Sequence, residues 1–399
     1  MEPWTMETRI NWFSYTWKPP KDLRKPKFPY VAGQSLAIRR HTPPPPFGLP
    51  YYKNDLYRPM ANRLDKKDAT QTDWCLQYPP RETHESGPSQ HLRSSVHALQ
   101  ITAKIACKEG RGAQVVRCIL DGKPDNVYVA KIYDALYYPS YEHPGRPSDI
   151  TYQADGDYSR EAAVYEHFGR SGLDGCYSPK YHGSWTFDVP LVSAEPAGSV
   201  GEQPTSRPVR MILMEWIPGA SMLSYLETNK IDSISPTRRL DILAEALESN
   251  CYLRYHRIEH GDFKPRNILL ADSAAHSKSR PPLAPRTDNR NSQPASNSLP
   301  RLYIIDFNRS YILDSPCMER EYGKWDLPPN PMHMYWGVDL QCFDRWVPDI
   351  YREREKAFRG WLKSKWGNVK GYAAPCTIHR KKNNLDDVEY ISPESDLVR

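Results

Sequence analysis

The sequence predicts an α+β protein in which a small antiparallel sheet comes first and a mostly helical region follows. Three observations carry this expectation. Short runs rich in β-branched and aromatic residues, separated by glycine and turn residues, fill 101–133. Leucines and a cysteine recur at three-to-four spacing over 236–257. The 38 prolines in 399 residues cluster before residue 96, between 188 and 208, and between 281 and 300, outside both patterns.

Composition narrows the class of protein. The net charge of +6 is modest, and a mild basic excess is ordinarily a solvated surface, so no specific nucleic-acid partner is expected. No apolar run approaches the roughly 18 residues that a membrane span needs. The eight cysteines are scattered without CxxC or another metal-ligand spacing, which fits free thiols in a reducing compartment. Met1 to Tyr15 lacks a continuous apolar stretch, so no secretory signal is expected. Together these features predict an intracellular protein, cytoplasmic or nuclear.

The elements follow in order. Residues 1–96 hold Pro43-Pro44-Pro45-Pro46, a basic stretch from Lys18 to Lys27, and scattered aromatics (Trp4, Trp12, Phe13, Tyr15, Trp17). Proline removes donors and fixes φ, so this extension is expected to be largely irregular, and its basic stretch solvated. Ile101–Ala106, Val115–Leu120 and Val127–Tyr133, with turn chemistry at Asp121-Gly122 and Asp125-Asn126, read as a three-strand meander. A helix is expected over 158–168, capped by Asp157 or Ser159. Two more strands are expected at Tyr181–Phe187 and Val209–Trp216, with a long loop over 188–208. Pro236 suits the start of the helix that places Leu240, Leu243, Leu247 and Cys251 on one face. Residues 272–300, poor in apolar side chains, are expected to be a disordered insertion. Strand character returns at Leu302–Ile305. Residues 339–365 read as one or two amphipathic helices, and Trp325, Tyr335, Trp336, Phe343, Trp346, Phe358 and Trp361 as core.

The chemistry centres on His260-Gly261-Asp262-Phe263-Lys264-Pro265-Arg266-Asn267, followed by the apolar run Ile268-Leu269-Leu270. Phosphoryl transfer from ATP uses an Asp and an Asn at this spacing: the Asp orients the acceptor hydroxyl and takes its proton, and the Asn holds Mg²⁺. The loop resembles the catalytic loop of the protein-kinase-like superfamily, written HRDLKxxN in protein kinases and HGDLHxxN in aminoglycoside and choline phosphotransferases. Further motifs in the same order extend the resemblance over about residues 97–310. Val129-Ala130-Lys131 is like the strand whose lysine contacts the ATP phosphates, and Glu161 is the expected partner that keeps this lysine charged, with Glu166 as competitor. Asp306-Phe307-Asn308 is like the metal-binding DFG segment, and Asn308, in place of glycine, is expected to take φ > 0. Gly110 and Gly112 lie where a phosphate-covering loop is expected, although Val115 replaces its third glycine. Met214–Gly219 resembles the hinge between lobes, where adenine would bond to the Glu215 carbonyl and the Ile217 N–H.

The resemblance implies a two-lobed protein-kinase-like fold. Its N-lobe (97–216) would be a small antiparallel sheet with one helix, and its abbreviated, mostly helical C-lobe (217–399) would be atypical. The proline-interrupted style is similar to that of kinase-like proteins of filamentous fungi. The implied cofactors are ATP and Mg²⁺, with Asp262 and Lys264 catalytic and Asn267 and Asp306 on the metal. Lys264 points toward protein Ser/Thr hydroxyls as acceptor. Gly261 points toward a small-molecule alcohol. The altered glycine loop and Asn308 leave a third reading, a nucleotide-binding module without transfer.

Overall fold

The computed structural model describes residues 19–51, 68–82, 95–141, 147–190, 206–271, 299–318, 320–338, 340–373, 388–391 and 393. The expected insertion at 272–300 lies outside them except for 299–300, as do the aromatics at positions 4 to 17. The described residues divide into two compact units, one from 1–163 with 181–216 and one from 164–180 with 217–399.

The first unit contains β1 (Ser35–Arg40), α1 (Gln71–Gln77), β2 (His97–Ala106), β3 (Gln114–Leu120), β4 (Val127–Tyr133), α2 (Ile150–Arg170) as far as Ala163, β5 (Tyr181–Pro190) and β6 (Ser206–Glu215). Its strands form a closed antiparallel barrel in the order β1-β2-β3-β4-β6-β5. β1 closes it. Ser35 to Ile38 pair with β2, and Arg39 and Arg40 then pair with Thr186 and Trp185 of β5. Without β1 the facing edges of β2 and β5 would carry unpaired N–H and C=O groups, and closure removes both edges.

Burial along the strands fits this arrangement. β3 alternates, with Gln114, Val116 and Cys118 buried and their neighbours half-buried, as expected when one face is covered. β6 is buried continuously from Val209 to Met214, so both of its faces are covered.

This architecture corrects the expected two-lobed kinase-like fold with one small antiparallel N-lobe sheet and one helix. The sheet is a six-stranded closed barrel. The second unit carries two further sheets, and seven α-helices are present among the described residues. The closing strand is drawn from the extension expected to be irregular. Only Ile38 of its six residues is buried, so its local pattern carries almost no strand information. Its partners are distant in the chain, and tertiary pairing decides its conformation.

Other parts of the extension are also ordered. α1 is capped by Thr70, whose hydroxyl accepts from Asp73 N at 3.1 Å. Arg24 pairs with Asp73, Lys25 pairs with Glu109, and Lys25 also donates to Gln71 at 2.7 Å. The basic stretch is docked here, where a solvated tail was expected.

α2 begins eight residues before the expected start, and its cap is Asp149, which accepts from Tyr152 N at 3.1 Å. Asp157 and Ser159 are interior. Gly156 hid the first turns, since glycine in a helix costs roughly 1 kcal/mol relative to alanine. Tertiary packing fills the place of its missing side chain: a Cβ there would lie 3.0 Å from Arg160 Nη1 and 3.5 Å from the Phe47 ring. The expected loop over 188–208 is shorter, because β5 and β6 stay paired out to Pro190↔Ser206.

The second unit contains the rest of α2, then β7 (Gly219–Ser221), α3 (Met222–Glu227), α4 (Pro236–Tyr255), β8 (Ile258–Glu259), β9 (Ile268–Ala271), β10 (Arg301–Ile304), β11 (Tyr311–Ile312), α5 (Pro331–Tyr335), α6 (Asp349–Glu353) and α7 (Glu355–Trp366). A three-stranded sheet runs β10-β9-β7, and a two-stranded one pairs β11 with β8. The apolar face of α4, with Leu240, Leu243, Leu247 and Cys251 all buried, packs with Ile268, Leu270 and Leu302 of the larger sheet and with the carboxy-terminal aromatics. Trp346 sits deepest among these and donates its indole N–H to Met222 O at 3.1 Å. Trp325 stays half-buried, with the Arg257 guanidinium 5.6 Å from its ring. No helix among the described residues is long and apolar enough to cross a membrane.

Candidate functional site

In the second unit the segment 260–267 runs from β8 to β9 through a 3₁₀ turn, Pro265–Asn267. His260 is fully buried and anchors the loop from beneath. Its Nδ1 accepts from Asp262 N at 3.2 Å, which leaves Nε2–H to donate to Ile305 O at 3.0 Å. That tautomer is neutral and both ring nitrogens are engaged, so His260 positions the loop. Gly261 has φ +70°, and a Cβ there would lie 2.2 Å from Arg309 O. The glycine is therefore required by a close backbone approach, and its identity carries no information about the acceptor.

Asp262 and Asn267 are brought together. Asn267 Nδ2 donates to Asp262 Oδ2 at 3.0 Å and to Asp262 O at 2.9 Å. These bonds fix the carboxamide orientation, because only the NH₂ end can donate to a carboxylate. No hydrogen bond is made to Asn267 Oδ1 among the described residues, so this oxygen is the atom left for a cation. Two cations lie against the carboxylate: Arg266 donates to Oδ2 at 2.7 Å, and Lys264 Nζ is 3.4 Å from Oδ1. The Asp262 side chain is only 7% exposed, whereas Lys264 and Arg266 are 46% and 50% exposed.

Asp306 joins this group through the backbone. β9 and β10 pair in register as far as Ile268↔Ile304, and Ile305 N then donates to Asn267 O at 2.9 Å. Asp306 follows immediately, at φ +68°, ψ +66°. The left-handed conformation falls on Asp306, and Asn308 lies within the 3₁₀ turn Phe307–Arg309 with no positive φ, which corrects the expectation for that residue. Non-glycine residues in this region are uncommon, Asp being among the more tolerant, and such conformations cluster at functional sites. Phe307 locks the turn. It is fully buried, with ring centroids 5.5 Å from Tyr165, 5.5 Å from Phe168 and 5.0 Å from His260.

Among the described residues no three His, Cys, Asp or Glu side chains cluster as a dedicated metal cage. One carboxylate on Asp306 and one carboxamide oxygen on Asn267 is still a donor set that suits Mg²⁺. That ion ordinarily keeps several waters and binds one or two protein oxygens together with substrate phosphates.

In the first unit, Lys131 and Glu161 are brought together. Lys131 Nζ donates to Glu161 Oε2, and Tyr133 OH donates to the same oxygen at 2.8 Å. Lys131 is 6% exposed and Glu161 fully buried. Glu166, the competitor, belongs to the second unit and is half-buried, and burial raises its carboxyl pKa.

Gly110 and Gly112 both have positive φ, at +75° and +92°. The loop that they occupy is held internally. Gly110 N donates to Tyr137 O at 2.9 Å, Gln114 Oε1 accepts from Lys108 N at 2.8 Å, and Gln114 Nε2 donates to Gly112 O at 2.7 Å. The Gly110 amide is thus committed to the protein. Glu215 ends β6 opposite Tyr128, in the first unit. Ile217 belongs to the second unit, buried with Ala271 and Tyr303.

Sequence reasoning missed three participants. Tyr133 is two residues from Lys131, and the period of two along a strand puts both on one face, so it was open to detection. Arg266 and Gln114 were not, because their bonds depend on loop conformations that no periodicity describes. No protein-family model matches the chain, and no curated protein matches it in sequence.

Proposed function

We propose that this chain transfers the γ-phosphoryl group of ATP to a hydroxyl, with serine or threonine of a protein as the acceptor. The observation that carries the reading is the Asp262–Asn267 arrangement, a buried carboxylate hydrogen-bonded to a carboxamide whose oxygen accepts no hydrogen bond among the described residues, tied through Ile305 to Asp306. Asp262 accepts the proton of the attacking hydroxyl as the new P–O bond forms and ADP leaves. Lys264 offers its ammonium to the transferring phosphoryl group. Asn267 and Asp306 would hold Mg²⁺, which supplies charge neutralisation at the phosphate oxygens. In the first unit, Lys131, paired with Glu161, is the proposed contact to the nonreacting phosphates. These loops resemble those of the protein-kinase-like superfamily, and Lys264 is the residue that favours a protein acceptor over a small alcohol.

The test is transfer of ³²P from Mg²⁺·[γ-³²P]ATP to casein and histone, with choline and an aminoglycoside as competing acceptors. The expected outcome is labelled protein. Asp262→Asn is expected to lose about 10²–10⁴-fold in transfer, the usual contribution of a general base, while retaining nucleotide binding. Label on the small alcohols alone would reassign the acceptor. Unchanged turnover in Asp262→Asn would sink the mechanism.

A second reading, nucleotide binding without transfer, is favoured by two observations. Arg266 already occupies Asp262 Oδ2, and the Gly110 amide is already bonded to Tyr137. It predicts Mg²⁺-dependent thermal stabilisation by ATP with no labelled product. Absence of both turnover and stabilisation rejects both readings.

A further inference from the structure

The barrel of the first unit has a second polar centre, at the end where β1 finishes and β2 begins. A cavity of about 210 Å³ opens there. Leu120 contributes apolar surface to it, and Arg40, Lys123, Tyr128 and His182 are among its polar and aromatic lining. The pair that closes the barrel, Arg40↔Trp185, forms part of the wall.

Arg40 is held in place by three features. Its guanidinium carbon lies 4.0 Å from the centroid of the Trp185 ring. Its Nη1 donates to His182 O at 2.8 Å. The third feature is a gap left by glycine: a Cβ on Gly183 would lie 1.7 Å from Arg40 Nη1, so the arginine occupies the space of that missing side chain. Gly183 has φ +98° and falls where the β5–β6 register shifts between Tyr181 and Ser184. Such irregularities re-aim side chains beside sites.

The charges are unbalanced in a useful way. Arg39 next door pairs with Asp188 at 2.5 Å. Arg40 has no carboxylate partner among the described residues. The nearby acid, Asp121, is already engaged: it accepts from Ala98 N at 2.9 Å and is 2.8 Å from His97 Nδ1. The Lys123 ammonium has no hydrogen-bond partner among the described residues. Asp121 also lines the cavity, beside Lys123, so Arg40 is the cation there without a carboxylate partner among the described residues.

We propose that this end of the barrel binds a small planar carboxylate, an aryl or heteroaryl acid, through Arg40. A guanidinium stacked on an indole keeps a second planar face and edge donors that match a carboxylate bidentately. Leu120 and Tyr128 offer apolar surface to a ring. The volume is right for one or two rings, since an apolar cavity of about 150 Å³ already takes benzene. None of the residues proposed for phosphoryl transfer lines this cavity.

The test is calorimetric titration of the full chain with indole-3-carboxylate. Saturable 1:1 binding with Kd below about 1 mM is expected, and about tenfold weaker binding in Arg40→Gln. Gly183→Ala, which displaces the guanidinium, is expected to weaken binding by a similar factor. Asp306→Ala is expected to leave Kd unchanged, which separates this site from nucleotide binding. Cyclohexanecarboxylate is expected to bind several-fold more weakly than its planar counterpart. Three results would overturn the proposal: no saturation by about 10 mM, an unchanged Kd in a folded Arg40→Gln protein, or inorganic phosphate binding as tightly as the aryl acid.

Discussion

The two units place the same kind of charge pair in opposite surroundings. In the barrel, Lys131 and Glu161 are 8% and 0% exposed in their side chains, and Tyr133 completes the shell. In the second unit, Asp262 is nearly as buried, but its cations Lys264 and Arg266 are about half exposed. A fully buried pair is set once on folding, because removing either member strands the other without water. A buried carboxylate under two exposed, flexible cations can exchange those cations for another ligand at little cost. The first arrangement holds a charge still, and the second leaves the carboxylate's partners replaceable.

Single and paired substitutions give the largest test of that contrast. Lys131→Met is expected to destabilise the barrel by about 3–5 kcal/mol, the cost of an uncompensated buried charge, and adding Glu161→Leu to recover most of it. The urea midpoint of the barrel transition reports both. A double variant no more stable than the single would mean that the site tolerates no apolar replacement.

Next in size is Gly261→Ala. The Cβ would meet the Arg309 carbonyl at 2.2 Å, and the left-handed φ adds strain. A loss of about 3 kcal/mol in the second unit is expected from overpacking and backbone strain together. Thermal unfolding measures it, and a loss under about 1 kcal/mol would show that the loop can shift.

The exposed cations should behave differently. Arg266→Ala and Lys264→Ala are each expected to change stability by no more than about 1 kcal/mol. On the proposed mechanism Lys264→Ala also lowers phosphoryl transfer, whereas the same loss of charge at Arg266 removes one of the two donors to Asp262 Oδ2 and leaves Asn267 on it. Equal destabilisation by Lys264→Ala and Lys131→Met would erase the contrast between the two regions.

The smallest effect is one of pH. Burial lowers the pKa of both His167 and His256 in the second unit from the ordinary value of 6.5. As pH falls below that value the unfolded chain takes up protons that the folded unit resists, so stability present above 6.5 is lost on acidification. The second unit is therefore expected to soften between neutral and mildly acidic pH. Replacing His167 with Gln should reduce that slope in a fluorescence-monitored melt.

Much of the architecture was legible in the sequence, for identifiable reasons. The strand at Val127–Tyr133 was placed to the residue, because turn chemistry flanks an apolar run. Helix α4 ended within two residues of expectation, because Leu240, Leu243, Leu247 and Cys251 keep one face over about three turns. The Lys131–Glu161 and Asp262–Asn267 contacts followed from motif order and were brought together by the fold. The closed barrel was not legible. β1 lies in a proline-rich stretch with one buried side chain, and both of its partners are remote in the chain. The early start of α2 was hidden by Gly156, and no local pattern marks Asp306, rather than the φ-tolerant Asn308, as the residue with positive φ.

By itself, the sequence determined which residues are proposed to carry chemistry and in what order: a lysine on a strand, a glutamate on a helix, an Asp–Asn loop and a strand-end aspartate. Local patterns and side-chain types are enough for that, because they depend on neighbours a few positions away. Only the tertiary structure decided what surrounds those residues. It closed the sheet with a strand from the extension, committed the Gly110 amide to Tyr137, put Arg266 on Asp262, and stacked Arg40 over Trp185. Each of these depends on groups brought together across long stretches of chain or on loop geometry, where hydrogen-bond satisfaction and packing outweigh propensity, and no local pattern encodes them.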